Sequence, residues 1–304
     1  GQVAPAWLVH ALPRDPGDSS RSPGATAARY ALAIALGTVV LLLRQQGMSA
    51  LDTIWAEDGR IFLADALERP FRDVVLAPYR GYALVVPRLL AEVASNLPLE
   101  LAAATLSGGS ALIVSMLAAF VYRATAFLDD GVLRLAHASA IILLPITIRE
   151  SLNNVSGLHW FLMFAAFWGL AWMPRSWPLR ILATIVVALS ALTDPLTLLL
   201  APVVALRLFA ARRPMDHLVT LGWAAGLAVQ LAELPPLEED DEPGDERKDR
   251  RHEEDDQNRH HQEVGDDVGA PQGPVPHVPA EESVVPDVSA ADRAVLDVLA
   301  SDAS

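Results

Sequence analysis

The stretch Leu101–Tyr122, LAAATLSGGSALIVSMLAAFVY, carries no charged residue. A bilayer core asks for about 20 mostly apolar residues in one helix, and this run meets that requirement. Ala25–Leu43 is a second run of the same kind. Working outward, Val132–Ile148, Gly157–Met173, Pro178–Thr193, Pro195–Ala210 and His217–Ala232 read as further spans, several at the short end of the usable range. A water-soluble helical bundle would place charge at every third or fourth position along one face. Ala183–Thr193, like Leu101–Val121, places none. The expected fold is all-α: a polytopic helical membrane protein with about seven transmembrane helices, an external amphipathic segment and an acidic C-terminal tail.

Charge divides the chain. Residues 1–232 hold 15 Asp/Glu and 17 Lys/Arg, whereas residues 233–304 hold 22 and 6. The net charge of −14 therefore belongs to the tail and says nothing about partners of the apolar body. Residues 1–24, rich in Pro, Gly and Ser, are expected to form a disordered cytoplasmic lead, and residues 233–304 a disordered acidic tail. A change of reading frame near Leu231 is one account of that tail, and a native acidic extension is the other. The absence of cysteine excludes disulfide and thiolate chemistry. There is no phosphate-binding glycine loop, no dinucleotide fingerprint and no zinc-ligand spacing.

Arginine placement sets the expected orientation. Arg14, Arg21, Arg29, Arg123, Arg134, Arg175, Arg180, Arg207, Arg212 and Arg213 fall on one side if seven spans are counted. That side is read as cytoplasmic, with the N-terminus on it, in the plasma membrane. Residues 44–100, the loop Arg149–Leu158 and the Asp194-Pro195 turn then lie outside. The first apolar run is read as a retained anchor rather than a cleaved signal.

The external segment 44–100 is too long for a simple connection. Asp58–Leu67 reads as a short helix ended near Pro70. Tyr82–Leu97 reads as an amphipathic helix with Tyr82, Val86, Leu89, Leu90, Val93 and Leu97 on one face and Arg88, Glu92 and Asn96 on the other. Pro87 implies a kink or a late start, and such a helix lies along a membrane surface, apolar side down. The acidic cluster Trp55-Ala56-Glu57-Asp58-Gly59 falls just beyond the first span.

The pattern Trp55-x-Glu57-Asp58-Gly59-x-x-Phe62, then Tyr79-Arg80-Gly81-Tyr82 and Pro87-Arg88, resembles the C-type glycosyltransferases, in particular predicted actinobacterial membrane proteins of that kind. These are multi-spanning enzymes that use polyprenyl-phosphate sugars. The resemblance covers roughly residues 25–232 and lacks the further spans and external domain usual in the family. It implies glycosyl transfer on the external face, with Asp58 the first candidate and Glu57 the second for a general base, or for holding a divalent metal at the donor phosphate. Asp58 could equally cap a helix start, worth ~1 kcal/mol.

Arg149 is a candidate for holding a lipid phosphate or sugar hydroxyl through its planar donor fork, and His159 and Trp160 for contacting the sugar. Arg88 and Tyr82 complete the proposed substrate-binding set. The bland alternatives are an Arg149–Glu150 loop pair, an interfacial Trp160 and an Asp194-Pro195 turn. The expected partners are membrane lipid and a polyprenyl-phosphate sugar donor. A transporter or flippase subunit for lipid-linked precursors, or a non-catalytic membrane scaffold, are the alternative classes.

Overall fold

The computed structural model describes residue 12 and residues 23–143, 152–211 and 213–232. The acidic tail, most of the N-terminal lead, and Arg149 and Glu150 lie outside the described residues.

The longest helices are α1 (Pro23–Leu43) and, further along, the charge-free run expected to span. Between them come two short helices, α2 (Ala64–Glu68) and α3 (Phe71–Val74), then a two-stranded hairpin, β1 (Pro78–Tyr79) and β2 (Tyr82–Ala83), then α4 (Val85–Ser95). The charge-free run then forms most of α5 (Ala102–Ala124), which ends with Arg123 in its last turn. After it come α6 (Gly131–Leu143), α7 (Leu158–Ala171) and α8 (Trp177–Thr193). A 3-10 stretch, Pro195–Leu200, leads into α9 (Ala201–Ala210), and α10 (Leu218–Ala232) closes the described bundle.

The helix α5 is the axis of the bundle and packs against α1, α4, α6 and α7; α8 packs on α7 and α10. Leu106, Val114, Phe120 and Val121 of α5 meet Leu158, Leu162, Ala165 and Leu170 of α7 in one buried cluster. At the α8–α10 seam the two backbones come close together. A Cβ at Gly226 would lie 2.8 Å from the Ala188 carbonyl oxygen, and one at Gly222 2.8 Å from Thr184 Cγ2. Gly222 and Gly226 form a Gly-x-x-x-Gly face of the kind that lets membrane helices approach backbone to backbone.

Large apolar side chains point outward along the bundle: Leu32, Leu36 and Leu43 on α1, Leu112 and Met116 on α5, Ile181 and Ile185 on α8, Leu221 on α10. Two helices, Gly24–Leu43 and Leu99–Ala124, are long and apolar enough to cross a membrane. Of the other expected spans, Pro178–Thr193 is helical over its full length as α8, whereas Gly157–Met173 is longer than α7. α7 runs 14 residues and rises roughly 20 Å against a core of about 30 Å, while α6 is described only as far as Leu143. Pro195–Ala210 is helical throughout but changes from 3-10 to α at Ala201.

The bundle has two chemically different ends. At one end lie the arginines. Arg207 Nη1 donates to the carbonyls of Leu170 (2.7 Å) and Trp172 (2.6 Å), closing the last turn of α7. The Arg123 guanidinium stacks on Trp172, Arg134 stacks on Tyr122, and Arg180 pairs with Asp216 at 3.3 Å. At the other end the segment between α1 and α5 covers the helix ends.

Within that segment Pro87 occupies the third position of α4, where its missing N–H is harmless, and the chain before it is the hairpin. The outcome is the late start rather than the kink. The burial of α4 departs from the expected amphipathic division. Val86, Arg88, Ala91 and Ala94 face inward, while Leu89, Val93 and Leu97 are exposed. Small residues account for this. Ala91 and Ala94 let α4 approach α5, where the Leu90 side chain lies over Gly109 so closely that a Cβ there would meet Leu90 Cδ1 at 2.6 Å. Arg88, expected on the polar face, is carried inward and neutralised by Asp65 of α2 at 2.9 Å.

Candidate functional site

The acidic cluster opens a helical turn of unusual pitch. Asp58–Leu63 is π-helical and passes directly into α2, which ends just before Pro70. π-turns are rare and concentrate at functional sites. Gly59 suits this turn, because a Cβ would lie 3.0 Å from Ile54 Cγ2 and that side chain would have to give way.

Asp58 is buried, 2% exposed. Its Oδ2 accepts the Val155 N–H at 2.8 Å and its Oδ1 accepts the Ser156 N–H at 3.1 Å. The carboxylate therefore holds the turn that leads into α7, 97 positions further along the chain, and does not cap its own helix. Burial pushes its pKa from 3.8 up to about 6; the two amide hydrogen bonds oppose the rise and the neighbouring Glu57 charge adds to it.

Glu57 has different partners and is partly open. Its Oε2 accepts the Trp55 indole N–H at 3.2 Å, its Oε1 accepts the Tyr79 hydroxyl at 3.4 Å, and Arg80 Nη2 lies 3.8 Å away. Tyr79 and Arg80 are presented by the hairpin tip. Arg80 (φ 53°) and Gly81 (φ 89°) both have positive φ, as a type I′ turn demands. For Gly81 this costs nothing, whereas for Arg80 it is local strain of ~1 kcal/mol or more. The Arg80 guanidinium lies over the Tyr79 ring at 5.4 Å.

A third carboxylate completes the cluster. Asp194 is buried at the α8 end, where its Oδ1 accepts the Leu196 N–H at 2.7 Å and caps the 3-10 stretch, as the Asp-Pro turn reading expects. Its Oδ2 is buried and has no hydrogen-bond partner among the described residues. Burial raises its pKa; the Leu196 amide and the nearby His159 pull the other way. Tyr82, across the hairpin from Tyr79, has its pKa raised by burial and then by the Asp194 charge. His159 Nδ1 lies 2.6 Å from the Ser156 carbonyl, which can only accept, so Nδ1 carries the proton. Its ring lies against Trp160 at 4.6 Å between centroids, and Trp160 is half exposed.

Glu57, Asp58, Tyr82, His159 and Trp160 thus lie at one end of the bundle, joined through Tyr79, Ser156 and Asp194. Arg88 is a neighbour of another kind: buried on Asp65, with its guanidinium over Phe62, whose edge meets the Tyr79 ring. It supports the platform from beneath. Asp65 is held below the usual carboxylate range: its partial burial is outweighed by hydrogen bonds from Arg88 and Arg69.

Several residues that build this end carry little sequence signal. Gln230, the single polar residue in the last two turns of α10, accepts the Ala83 N–H (2.9 Å) and donates to Ala83 O and Leu192 O (both 2.8 Å). It acts as an extra strand partner for the hairpin. Thr193 Oγ1 accepts the Val86 N–H at 3.3 Å, tying α4 to α8. Asn153, in the left-handed region (φ 56°), donates to the Leu41 carbonyl at 2.9 Å and closes the last turn of α1. A lone amide inside an apolar helix, such as Gln230, is the one signal that could have flagged it.

The divalent metal that the resemblance allows does not fit these residues. Among the described residues no three His, Asp or Glu side chains are grouped to hold an ion, and both Asp58 oxygens are taken by backbone amides. No family model, curated protein or solved structure matches the chain.

Proposed function

We propose that this chain is the membrane body of a C-type glycosyltransferase-like protein. It would take a sugar from a polyprenyl-phosphate donor on the membrane face that bears Glu57. The observation that carries the reading is the gathering of Glu57, Asp58, Tyr82, His159 and Asp194 at the bundle end opposite the arginines. By the positive-inside rule that end is external and the N-terminus cytoplasmic. The shorter helices serve as further spans, their ends sheltered by neighbours and by the 44–100 segment. The exposed stripe Leu89, Val93 and Leu97 of α4 rests on the membrane surface.

The chemistry is a displacement at the anomeric carbon. The acceptor hydroxyl oxygen forms the new bond to that carbon, and the bond to the donor phosphate oxygen breaks. The polyprenyl phosphate leaves with the electron pair. The hydroxyl proton passes to Glu57, the carboxylate of the pair that is partly open to an entering acceptor. Arg80, largely exposed beside Glu57, faces the leaving phosphate. Asp58 is a positioning residue: through Val155 and Ser156 it sets the turn that presents His159.

The test is transfer from labelled polyprenyl-phosphate hexoses and pentoses in membranes carrying the full chain. Glu57→Gln is expected to lower the transfer rate by about 100-fold or more, the usual contribution of a general base. Asp58→Asn is expected to lower it less, and the surface change Arg72→Gln to leave it unchanged. Full transfer by both carboxylate variants overturns the reading.

A further inference from the structure

A separate cavity of about 550 Å³ lies between α1, α5 and α6, at the arginine end. That volume falls within the ~300–1,000 Å³ of ordinary ligand sites. Three arginines line it, one from each helix: Arg29 from α1, Arg123 from α5 and Arg134 from α6. No carboxylate is found among the described residues that line it. Arg134 donates to the Tyr122 carbonyl at 3.2 Å and stacks on the Tyr122 ring at 4.3 Å, which fixes the guanidinium in place. Its Nε–H is buried and has no acceptor among the described residues. The rest of the wall is largely apolar, including Leu135 and Ile142. Beside it, Leu32 and Leu36 of α1 and Val132 and Leu133 of α6 are exposed.

We infer that this cavity seats an anionic phospholipid of the surrounding membrane, headgroup phosphate among Arg29, Arg123 and Arg134 and acyl chains along α1 and α6. Charge selects the ligand class: three arginines from separate helices line the cavity, no carboxylate stands among the described lining residues, and a planar donor fork matches phosphate oxygens. The apolar walls select the source. Two of the three helices, α1 and α5, are the two of membrane-crossing length, and a soluble anion would leave the leucine surfaces uncovered. Basic pockets between membrane helices on the cytoplasmic side are suited to lipid headgroups. The inference rests on the membrane reading but not on the glycosyltransferase one, because the cavity and the Glu57 cluster lie at opposite ends of the bundle.

The experiment is native mass spectrometry of the full chain released from nanodiscs, titrated with phosphatidylglycerol, phosphatidylcholine or inorganic phosphate. Phosphatidylglycerol is expected to bind at least tenfold more tightly than phosphatidylcholine, and inorganic phosphate not to be retained. Arg29→Gln, a change at an exposed side chain that leaves packing intact, is expected to weaken phosphatidylglycerol about fivefold, the effect of one basic residue at an anionic headgroup. Arg134→Gln is expected to act similarly, and Arg72→Gln to have no effect. Equal binding of the two lipids, retention of inorganic phosphate, or wild-type binding by the Arg29→Gln variant overturns the proposal. Glycosyl transfer plays no part in the readout, so this result and that of the transfer assay are independent.

Discussion

Replacing Asp58 by Asn sets two effects of known size against each other. The carboxylate holds two backbone amides, Val155 N–H at 2.8 Å and Ser156 N–H at 3.1 Å. Hydrogen bonds to a charged group contribute about 1.5–3 kcal/mol each, and Asn can keep only one of them. Against this stands burial, which raises the Asp58 pKa from 3.8 to about 6. A difference of about two pH units corresponds to roughly 3 kcal/mol disfavouring the ionised form in the folded state. The sign follows from proton linkage. Between about pH 4 and pH 6 the folded chain keeps the Asp58 proton while the unfolded chain has released it. The contribution is therefore fully present below about pH 4 and is lost as pH rises through 6. An asparagine side chain at this position does not titrate. Relative to the Asp58→Asn variant, the wild type should lose about 3 kcal/mol between pH 4 and pH 7. Other titrating groups, including Asp194 and Asp65, cancel in that difference. The assay is thermal unfolding of both proteins in one detergent across pH 4–8. At roughly 2–4 °C per kcal/mol, the gap in Tm should shift by about 6–12 °C in favour of the variant. If the wild type instead gains on the variant as pH rises, the amides dominate and burial does not govern Asp58.

Gly226→Ala should lower Tm although Ala is the better helix former by about 1 kcal/mol, because the new Cβ meets the Ala188 carbonyl at 2.8 Å and forces α8 and α10 apart. Gly108→Ala, with nothing within 4 Å of its Cβ, should raise Tm by the same propensity gain, and a melting comparison of the two checks both. Gln230→Leu leaves the Ala83 N–H and two carbonyls without their partner, at about 1–3 kcal/mol per group left buried, and should expose the hairpin to limited proteolysis at Arg80.

How much of this architecture the sequence discloses depends on the range of the interaction involved. α1 and α5 are legible because an uninterrupted apolar run is a local property. The late start of α4, with Pro87 in its first turn, and the turn at Asp194-Pro195 are legible for the same reason: each is decided within four residues. Gly222-x-x-x-Gly226 is equally local and is recognisable as a helix-packing face once α8 is known to lie against it. The direction of α4 is not legible. Its apolar residues are numerous enough for either orientation, and the choice turns on small side chains facing α5 and on Asp65 waiting for Arg88. The apolar run Gly157–Met173 overstates α7, because hydropathy marks where apolar residues lie and not where a helix ends.

The candidate site shows the same division most sharply. Glu57 and Asp58 are adjacent and chemically alike, and the sequence, from which Asp58 is the first candidate, gives no sight of their partners. Their roles separate only through partners 22 and 97 positions away. The Tyr79 hydroxyl, reached from a hairpin whose turn needs Gly81, leaves Glu57 partly open, while the Val155 and Ser156 amides close over Asp58. In the proposed reaction the chemical role therefore goes to the carboxylate that keeps room for an acceptor, and the positioning role to the one that has none. On this argument a variant that loosens the hairpin tip, such as Gly81→Val at φ 89°, should impair Glu57 chemistry while leaving the pH dependence set by Asp58 in place. Transfer assays and melting curves of that one variant, run side by side, separate the two carboxylates directly.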